Sequence, residues 1–359
     1  MAIRSSATAA LLLSLMALLS ALIVSSPDLG FTCTTQATCK SVIDYVSPNT
    51  TTLANISSLF GVTNFYDLLG ANSLAVSTKP SQIFKANNTI KIPFPCICSN
   101  DTGISNKVPV YTVQPNDGLD HIARDVFSAL VTYQQIARVN NIPNPNLILT
   151  GQKLWIPLPC SCDEVSGAQV VHYGHVVAKG SSVEQIAEEY GTDQNTLLKL
   201  NGMSNTSELI AGEVLDVPLK VCSSSVNKTS EDYPLLVPNG TYALTAYNCV
   251  KCSCQSSNNY TLHCNPSEVT PSNVTKCPSM LCQDGSVIGN TTSTCSTCAY
   301  AGFIKTSILT TLDNSTCSSN SAPSPSSNSA QGRFGSQGSS WSVLLATIHL
   351  GLLCFGLLC

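Results

Sequence analysis

Two groups of side chains have the types and spacing that catalysis or metal binding would need. Glu184, Glu188 and Glu189 share a predicted helix, but a glycosidase needs paired carboxylates in a deep cleft, and no segment is long enough to build one. His172 and His175, three residues apart, lack a third ligand for a metal ion. We therefore predict no enzymatic activity, no catalytic residue, no metal site and no cofactor.

The two ends of the chain have the patterns of processing signals. Arg4 precedes the apolar run 9–24, which is typical of a secretory signal peptide, predicted here as residues 1–26. At the other end, small residues at 328–330 and a polar spacer precede an apolar tail, the order of a glycosylphosphatidylinositol (GPI) signal. We predict Asn328 as the lipid-anchor site, 331–359 as the removed propeptide, and a location on the outer face of the plasma membrane. A short transmembrane anchor is the alternative.

The cysteines favour disulfides over zinc. Of the 18 cysteines in the chain, Cys354 and Cys359 lie in the predicted propeptide, and an even number remains. The close spacing of cysteines from Cys249 to Cys254 would suggest zinc in a cytosolic chain. A secreted chain enters an oxidising compartment, where disulfides persist.

The surface is expected to be glycosylated and nearly neutral. Charged residues make up 11% of the chain and the formal net charge is −4, without the basic cluster that phosphate backbones require. Nucleic acid is therefore excluded as a partner. N-x-S/T sequons predict glycosylation at Asn49, Asn55, Asn87, Asn100, Asn205, Asn227, Asn239, Asn259, Asn273, Asn290 and Asn314.

A sequence pattern that occurs three times predicts the elements that must position these side chains. It consists of a β-prone run, an apolar helical stripe, a second short helix, an asparagine and a β-prone run that ends in proline. We name the copies repeat 1 (33–98), repeat 2 (108–162) and repeat 3 (170–222). Each is predicted to be a β-α-α-β unit whose strands pair antiparallel, which makes the fold class α+β. Because a two-stranded sheet is marginal alone, helix packing and cross-links must stabilise it.

Local signals predict where the helices begin and end. In repeat 2 Asp117 is the expected N-cap of the helix whose apolar face starts at Leu119. In repeat 3 Ser181 and Glu184 are the expected capping box. The second helices are predicted over 65–69, 133–139 and 196–200, and left-handed φ angles are expected at the asparagines that follow them, Asn72, Asn140 and Asn201.

The repeat pattern ends after Cys222. Residues 233–317 are rich in cysteine, serine, threonine and asparagine and show no amphipathic periodicity, which predicts a small cystine-stapled module. Residues 318–330 are rich in serine and proline and are expected to form a solvated stalk.

The repeats and the two Cys-x-Cys pairs between them resemble the LysM ectodomains of plant cell-surface receptors, and more closely the LysM-containing GPI-anchored proteins. The matching stretches are 113–119, 140–143, 154–162, 239–246 and 249–254. The resemblance implies three disulfides that would clamp three LysM units into one body: Cys33–Cys98, Cys39–Cys162 and Cys96–Cys160.

The resemblance also implies that β-1,4-linked N-acetylglucosamine chains bind in a shallow groove between two loops of one LysM unit. In repeat 2 the second loop has apolar groups for acetamide methyls and sugar faces, and its prolines lower the ordering cost of binding. Leu147 and Ile148 could instead be core residues, and the binding role is favoured more for Ile148. Packing is favoured over sugar stacking for Trp155. The first-loop candidates are Gln114, Pro115, Asn116, Asp117 and Gly118; the second-loop candidates are Asn144, Asn146, Leu147 and Ile148.

Repeat 2 is the preferred binding unit because it has no sequon between Val110 and Pro159, whereas repeats 1 and 3 have them. Asp117 and Asp120 in and beside its first loop, without lysine or arginine, favour neutral chitin over peptidoglycan, whose carboxylates would be repelled. Peptidoglycan stays open, because either aspartate could be occupied in capping the helix.

These features together predict a cell-surface receptor for chitin oligosaccharides in innate immunity. With only a lipid anchor, nothing would cross the bilayer, and the resemblance implies signalling through a partner LysM receptor-like kinase. A long sugar chain could also bridge two receptors into a homodimer. The alternatives are a peptidoglycan receptor and a wall-tethering structural glycoprotein.

Overall fold

A computed structural model describes residues 29–291 and 296–313 of the protein. Within these ranges no helix is long and apolar enough to cross a membrane. Several predicted features lie outside the described residues: the signal peptide, the stalk, Asn314, Asn328, the propeptide, and the cysteines at 295, 317, 354 and 359.

In each repeat a strand is followed by two short helices and a second strand. The strands are β1 (Phe31–Thr32), β2 (Ala37–Val46), β3 (Thr51–Thr52), β4 (Ile83–Phe84), β5 (Thr89–Ser99), β6 (Thr102–Ser105), β7 (Val110–Thr112), β8 (Lys153–Trp155), β9 (Val170–Val176), β10 (Val214–Lys220), β11 (Tyr242–Thr245), β12 (Val250–Ser253), β13 (His263–Pro266), β14 (Thr297–Ile304) and β15 (Ser307–Asp313). The α-helices are α1 (Leu53–Leu59), α2 (Phe65–Ala71), α3 (Leu119–His121), α4 (Tyr133–Val139), α5 (Val183–Tyr190) and α6 (Gln194–Leu200). A π-turn, Ile122–Val126, continues α3, and 3₁₀ turns cover Thr206–Glu208 and Ser256–Asn258.

The strands of repeats 1 and 3 belong to one six-stranded sheet with the order β1-β6-β5-β2-β9-β10. Within each repeat the two strands pair antiparallel, as predicted, but β2 also pairs parallel with β9, with Val42 opposite Tyr173 and Ile43 opposite Gly174. A Cβ on Gly174 would lie 2.9 Å from the Ile43 side chain, so the close approach of the two strands requires glycine. This joining of repeats 1 and 3 supplies the additional strands that an isolated pair lacks.

Repeat 2 shares a hydrophobic core with repeat 1, and the segment after β8 bonds to β6 of the large sheet: Ser105 donates its N–H to the Leu158 carbonyl (2.8 Å), and Cys160 donates its N–H to the Gly103 carbonyl (3.1 Å). Its strands β7 and β8 form a separate two-stranded ladder, while its helix side chains pack in one cluster with those of repeat 1. An aromatic contact joins the two repeats: the rings of Phe60 in repeat 1 and Phe127 in repeat 2 are 5.6 Å apart. Within repeat 1 the ring of Tyr45 lies 4.8 Å from that of Phe60. The core of repeat 3 is a separate cluster, to which Val42 of repeat 1 contributes.

The asparagine that follows the second helix connects that helix to the last strand of its repeat. In repeat 2 the Asn140 Nδ2 donates to the carbonyls of Ile136 (2.8 Å) and Trp155 (2.7 Å), and its Oδ1 accepts the backbone N–H of Trp155 (2.9 Å). The side chain therefore satisfies the helix end and pairs with the strand as a neighbouring strand would. Asn72 makes the same three bonds with Leu68 and Lys91, and Asn201 makes them with Leu197 and Asp216.

Three predictions about the helix ends are wrong. The φ angles of Asn72, Asn140 and Asn201 are −106°, −96° and −97°. Positive φ occurs instead at the residue that follows each of them: Ser73, Asn141 and Gly202. The N-cap of α3 is Gly118, without a side-chain bond, because Asp117 is engaged within its own loop. The capping box of α5 is formed by Ser182 and Gln185, one position later than predicted. The second helix of repeat 2 has the predicted bounds, Tyr133–Val139.

Seven disulfides connect the cysteines within the described ranges. Cys33–Cys98, Cys39–Cys162 and Cys96–Cys160 are the pairs that the resemblance implied. The others are Cys222–Cys254, Cys249–Cys277, Cys252–Cys264 and Cys282–Cys298. Since the sulfurs of Cys249, Cys252 and Cys254 are all in disulfides, this motif is not a zinc site. The core of the cystine-rich module includes Cys222 and Val226, which precede the predicted start at residue 233.

The two histidines of β9 bind different carboxylates. His172 Nδ1 lies 2.9 Å from Asp216, and its Nε2 lies 2.9 Å from the carbonyl of Asp163. Both ring nitrogens therefore lie within hydrogen-bond distance of oxygen atoms. Burial raises the pKa of Asp216 against the lowering effect of His172. Burial acts to lower the pKa of His172, but the charge and hydrogen bonds of Asp216 and the Asp163 carbonyl outweigh it and raise the pKa above its ordinary value. His175 lies 2.9 Å from Asp44 on β2.

We expect the His172 pair to make stability fall with rising pH. A histidine with a raised folded-state pKa contributes stability below its unfolded pKa, about 6.5, and loses it as pH rises through the folded value. The melting temperature of wild type should therefore decline from about pH 6 into the alkaline range, and His172→Gln should flatten that slope. His121→Gln, at a half-exposed histidine, is the control. Equal slopes in wild type and His172→Gln would contradict the assignment.

The three hydrogen bonds of the Asn201 side chain predict a large loss of stability when that side chain is removed. Asn201→Ala leaves the N–H and carbonyl of Asp216 without their partner, and we expect a loss of about 2 kcal/mol in the free energy of unfolding, measured by denaturant titration with disulfides intact. Asn195→Ala in the same helix, at an exposed position, should change stability by less than about 0.5 kcal/mol. Similar losses in the two variants would contradict a specific role for Asn201.

Candidate functional site

The two candidate loops of repeat 2 meet at one end of the β7–β8 ladder. Val113, which starts the first loop, donates its N–H to the carbonyl of Gln152 (2.9 Å) and accepts the N–H of Gly151 (2.8 Å). Gly151 has φ +84°, which favours glycine at this turn. The residues directly after Val113 and directly before Gly151 are thus neighbours, and together they form an open surface.

The first loop is held by Asp117. Its carboxylate accepts the backbone N–H of Gln114 (2.7 Å) and the hydroxyl of Tyr111 (2.9 Å), and His121 Nε2 lies 3.6 Å from its second oxygen. Asp117 is half-buried, whereas Gln114, Pro115, Asn116 and Gly118 are exposed. The loop therefore presents amide and backbone groups to solvent on a fixed frame.

The second loop carries the exposed apolar surface. Asn144 Oδ1 accepts the N–H of Asn146 (3.1 Å), and its carbonyl accepts the N–H of Leu147 (2.9 Å). Both asparagines are exposed, and Leu147 is 71% exposed. Ile148 is half-buried and packs against the shared core. The structure thus brings the second-loop candidates together, with Ile148 facing partly inward.

Sequence reasoning missed Leu149, which is 73% exposed and lies beside Leu147 on the same loop. Its N–H and carbonyl are both bonded to Gln152, so the backbone at this residue is fixed. The available signal was the alternation of Leu147, Ile148 and Leu149: a loop with a single inward residue turns the residues on both sides outward. Trp155, which is half-buried, donates its Nε1–H to Ser105 Oγ (3.2 Å).

Charges beside the first loop are largely paired. Asp120 lies 2.8 Å from Arg124, and Asp125 lies 2.9 Å from His121. Burial, followed by the hydrogen bond and charge of Asp117, raises the pKa of Tyr111 to about 12. Of the two aspartates that the sequence placed at this loop, only Asp117 lacks a lysine or arginine partner within the described residues.

Every sequon asparagine among the described residues is exposed. The segments between the second helix and the last strand of repeats 1 and 3 (72–88 and 201–213) correspond to the second loop of repeat 2. They contain Asn87 and Asn205 and also exposed isoleucines: Ile83, in the short strand β4, is 61% exposed, and Ile210 is 56% exposed. All three repeats thus present an aliphatic side chain from this loop. In repeat 2 alone the loop has no sequon.

Comparison with known proteins identifies the class. The family model of the LysM domain matches residues 111–157 and 175–218, which correspond to repeats 2 and 3, so the chain is a LysM protein. It is 44% identical over 331 residues to LysM domain-containing GPI-anchored protein 2 of Arabidopsis thaliana, an alignment that covers 92% of each chain.

A second relative supports the same grouping. The chain is 44% identical over 335 residues to the chitin elicitor-binding protein of Oryza sativa subsp. japonica, covering 91% of this chain and 92% of that one. The chain therefore belongs to the family of plant LysM domain-containing GPI-anchored proteins. Among solved structures, the ectodomain of a receptor like kinase covers 52% of this chain at 20% identity with a TM-score of 0.43.

The Tyr111–Asp117 contact gives a direct test of the first loop. In Asp117→Asn the charge is lost while burial of the ring remains, so the pKa of Tyr111 should fall from about 12 but stay above the ordinary value of about 10. The measurement is a pH titration of ¹³C-labelled tyrosine rings by NMR. Asp120→Asn should leave the pKa of Tyr111 unchanged, and an unchanged value in Asp117→Asn would show that the loop is held differently.

Proposed function

We propose that this protein is a cell-surface receptor that binds chitin oligosaccharides through repeat 2. The observation that carries the proposal is that the two loops are joined at Val113, which bonds to Gly151 and Gln152. The first loop exposes the amide of Asn116, and the second exposes Asn146, Leu147 and Leu149. An N-acetylglucosamine unit has an acetamide methyl and a ring face for the leucines. It also has an amide and hydroxyls for the polar groups.

The charges of the site favour a neutral sugar polymer. Because Asp120 is paired with Arg124, Asp117 is the remaining negative group at the first loop, and its charge would repel the carboxylates of peptidoglycan. Lys153, opposite Thr112 on β7, is the nearest lysine along the ladder. Chitin adds no charge and so meets no repulsion. The name of the 44% identical rice relative, a chitin elicitor-binding protein, supports the same ligand.

The remaining assignments are parts of the same proposal. Repeat 1 lies outside the residues matched by the family model. Its Asn72 side chain nevertheless bonds to the last strand as the matching asparagines of repeats 2 and 3 do, and we propose that repeat 1 is a third LysM unit. Residues 1–26 would be removed as a signal peptide, and 331–359 would be exchanged for a GPI anchor at Asn328. The names of the relatives support this anchor.

A lipid-anchored receptor requires a partner for signalling. With the anchor confined to the outer leaflet, ligand occupancy cannot reach the cytoplasm through this chain. We therefore propose a LysM receptor-like kinase as the partner, joined in the presence of ligand. A chitin chain long enough to occupy two receptors would raise the effective concentration of the second. Ligand-dependent recruitment of a kinase also separates a receptor from a structural wall-tethering protein.

Calorimetric titration of the secreted ectodomain tests the ligand. N-acetylglucosamine oligomers of increasing length should bind with increasing affinity until the groove is filled, and soluble muropeptides should bind more weakly. A preference for muropeptides, or chitin affinity independent of length, would overturn the proposal.

Variants of the second loop test the location. Leu149→Ala should raise the Kd for a chitin oligomer about tenfold, since burying the lost methylene groups is worth about 1.4 kcal/mol or more. Leu147→Ala and Ile148→Ala should also weaken binding, with some loss of stability in Ile148→Ala because that side chain contacts the core. The matched control is Ile210→Ala in the same loop of repeat 3. A larger loss of affinity in Ile210→Ala would move the site to repeat 3.

A further inference from the structure

A cavity of about 330 Å³ lies where repeats 1 and 3 meet the cystine-rich module. Its volume is within the range of small-ligand sites, about 300–1,000 Å³. Repeat 1 contributes Lys40 and Lys91, repeat 3 contributes Tyr190, and the module contributes Tyr242 and Tyr260. The cavity is separate from the loops of repeat 2, none of whose residues lines it.

The walls suit a neutral, hydroxyl-rich occupant. Three cationic side chains line the cavity, and they are matched by the three carboxylates of Asp67, Glu188 and Glu189. Lys40 is 3.8 Å from Asp67, and Lys220 lies 3.8 Å from the ring centroid of Tyr260. A cavity with balanced charge offers no net attraction to an anionic polymer or a metal ion. Its tyrosine rings and polar side chains provide the mixture of faces that a sugar requires.

A glycosylation sequon forms part of the wall. Asn239 and Thr241 both line the cavity. The Asn239 Oδ1 accepts the N–H of Ser256 (2.7 Å), and its backbone N–H donates to the carbonyl of Lys220 (3.1 Å). The amide is therefore fixed through its oxygen, and Nδ2, the atom to which a glycan is attached, is not committed to any hydrogen bond described by the structure.

The turn that carries this sequon packs closely against repeat 1. The Tyr242 hydroxyl donates to the carbonyl of Leu74 (2.7 Å), and Ser73 Oγ donates to the carbonyl of Gly240. A Cβ on Gly70 would lie 2.1 Å from the Tyr242 carbonyl, so only glycine allows this contact. A sugar attached to Asn239 therefore begins at the wall of the cavity and on a segment whose position is fixed.

We propose that the cavity is a carbohydrate site occupied by the first N-acetylglucosamine units of the protein's own glycan on Asn239. Because N-glycans are added to the unfolded chain, the three parts of the molecule would close around the sugar. The glycan then fills the cavity between repeats 1 and 3 and the cystine-rich module, and it prevents free N-acetylglucosamine oligomers from binding in this cavity. Chitin binding stays confined to repeat 2.

Protection of the glycan core tests the proposal on the wild-type protein. The ectodomain is secreted from cells that make only high-mannose glycans and is treated under native conditions with endoglycosidase H, which cuts between the two core sugars. Site occupancy is followed by peptide mass spectrometry. We expect the Asn239 glycan to be cut at least about tenfold more slowly than those on Asn100 and Asn273, since cutting must await local opening, and at the same rate after reduction and unfolding.

Sequon variants give the second readout. Asn239→Gln should increase hydrogen exchange in residues 236–243, whereas Thr241→Ser, which keeps the sequon, and Asn273→Gln should not. Chitin affinity through repeat 2 should stay unchanged in Asn239→Gln, which separates this proposal from the proposed function. An unglycosylated Asn239, a glycan cut as fast as the others, or protection of residues 236–243 by added chitotriose in wild type would overturn the proposal.

Discussion

The side-chain amide that closes each repeat is the interaction on which the rest of the structure depends. A pair of strands with two short helices has too little apolar surface to be stable unless the helix end and the strand are connected. Asn140 connects them with three bonds, because a carboxamide carries both donors and an acceptor in one plane. Aspartate lacks the donors and alanine lacks all three groups. The same geometry at Asn72 and Asn201 makes the three repeats equivalent at their centre.

Repeat 1 holds the other two by different means. It extends its sheet into repeat 3 through the parallel contact of β2 and β9, and it shares its helix core with repeat 2. Two disulfides also hold repeat 2 to repeat 1: Cys39–Cys162 and Cys96–Cys160 join repeat 1 to the end of repeat 2. Because the short β7–β8 ladder is separate from the large sheet, no further strand among the described residues pairs with it beside the two loops.

Local features of the sequence were sufficient for the repeated elements and insufficient for their junctions. Helix Tyr133–Val139 was predictable to the residue, because apolar spacing and the following asparagine mark both ends. The α5 cap was predicted one residue early, because Ser181 and Ser182 both head a plausible capping box and only tertiary packing selects between them. The parallel β2–β9 contact depends on Gly174 meeting Ile43, a relation between residues 131 positions apart that no local pattern encodes.

At the candidate site, too, the sequence indicated the local elements but not the contacts between them. Loop composition indicated the polar groups of Gln114 to Gly118, but the role of Asp117 depended on Tyr111, whose hydroxyl it accepts. Leu149 was missed because an aliphatic residue before a strand is usually core, and its exposure arises from the single inward turn at Ile148. Repeats 1 and 3 also expose an isoleucine in the second loop, and there a sequon lies in the same loop. An exposed aliphatic group costs solvation free energy in every repeat, and in repeat 2 the proposed chitin ligand would cover it.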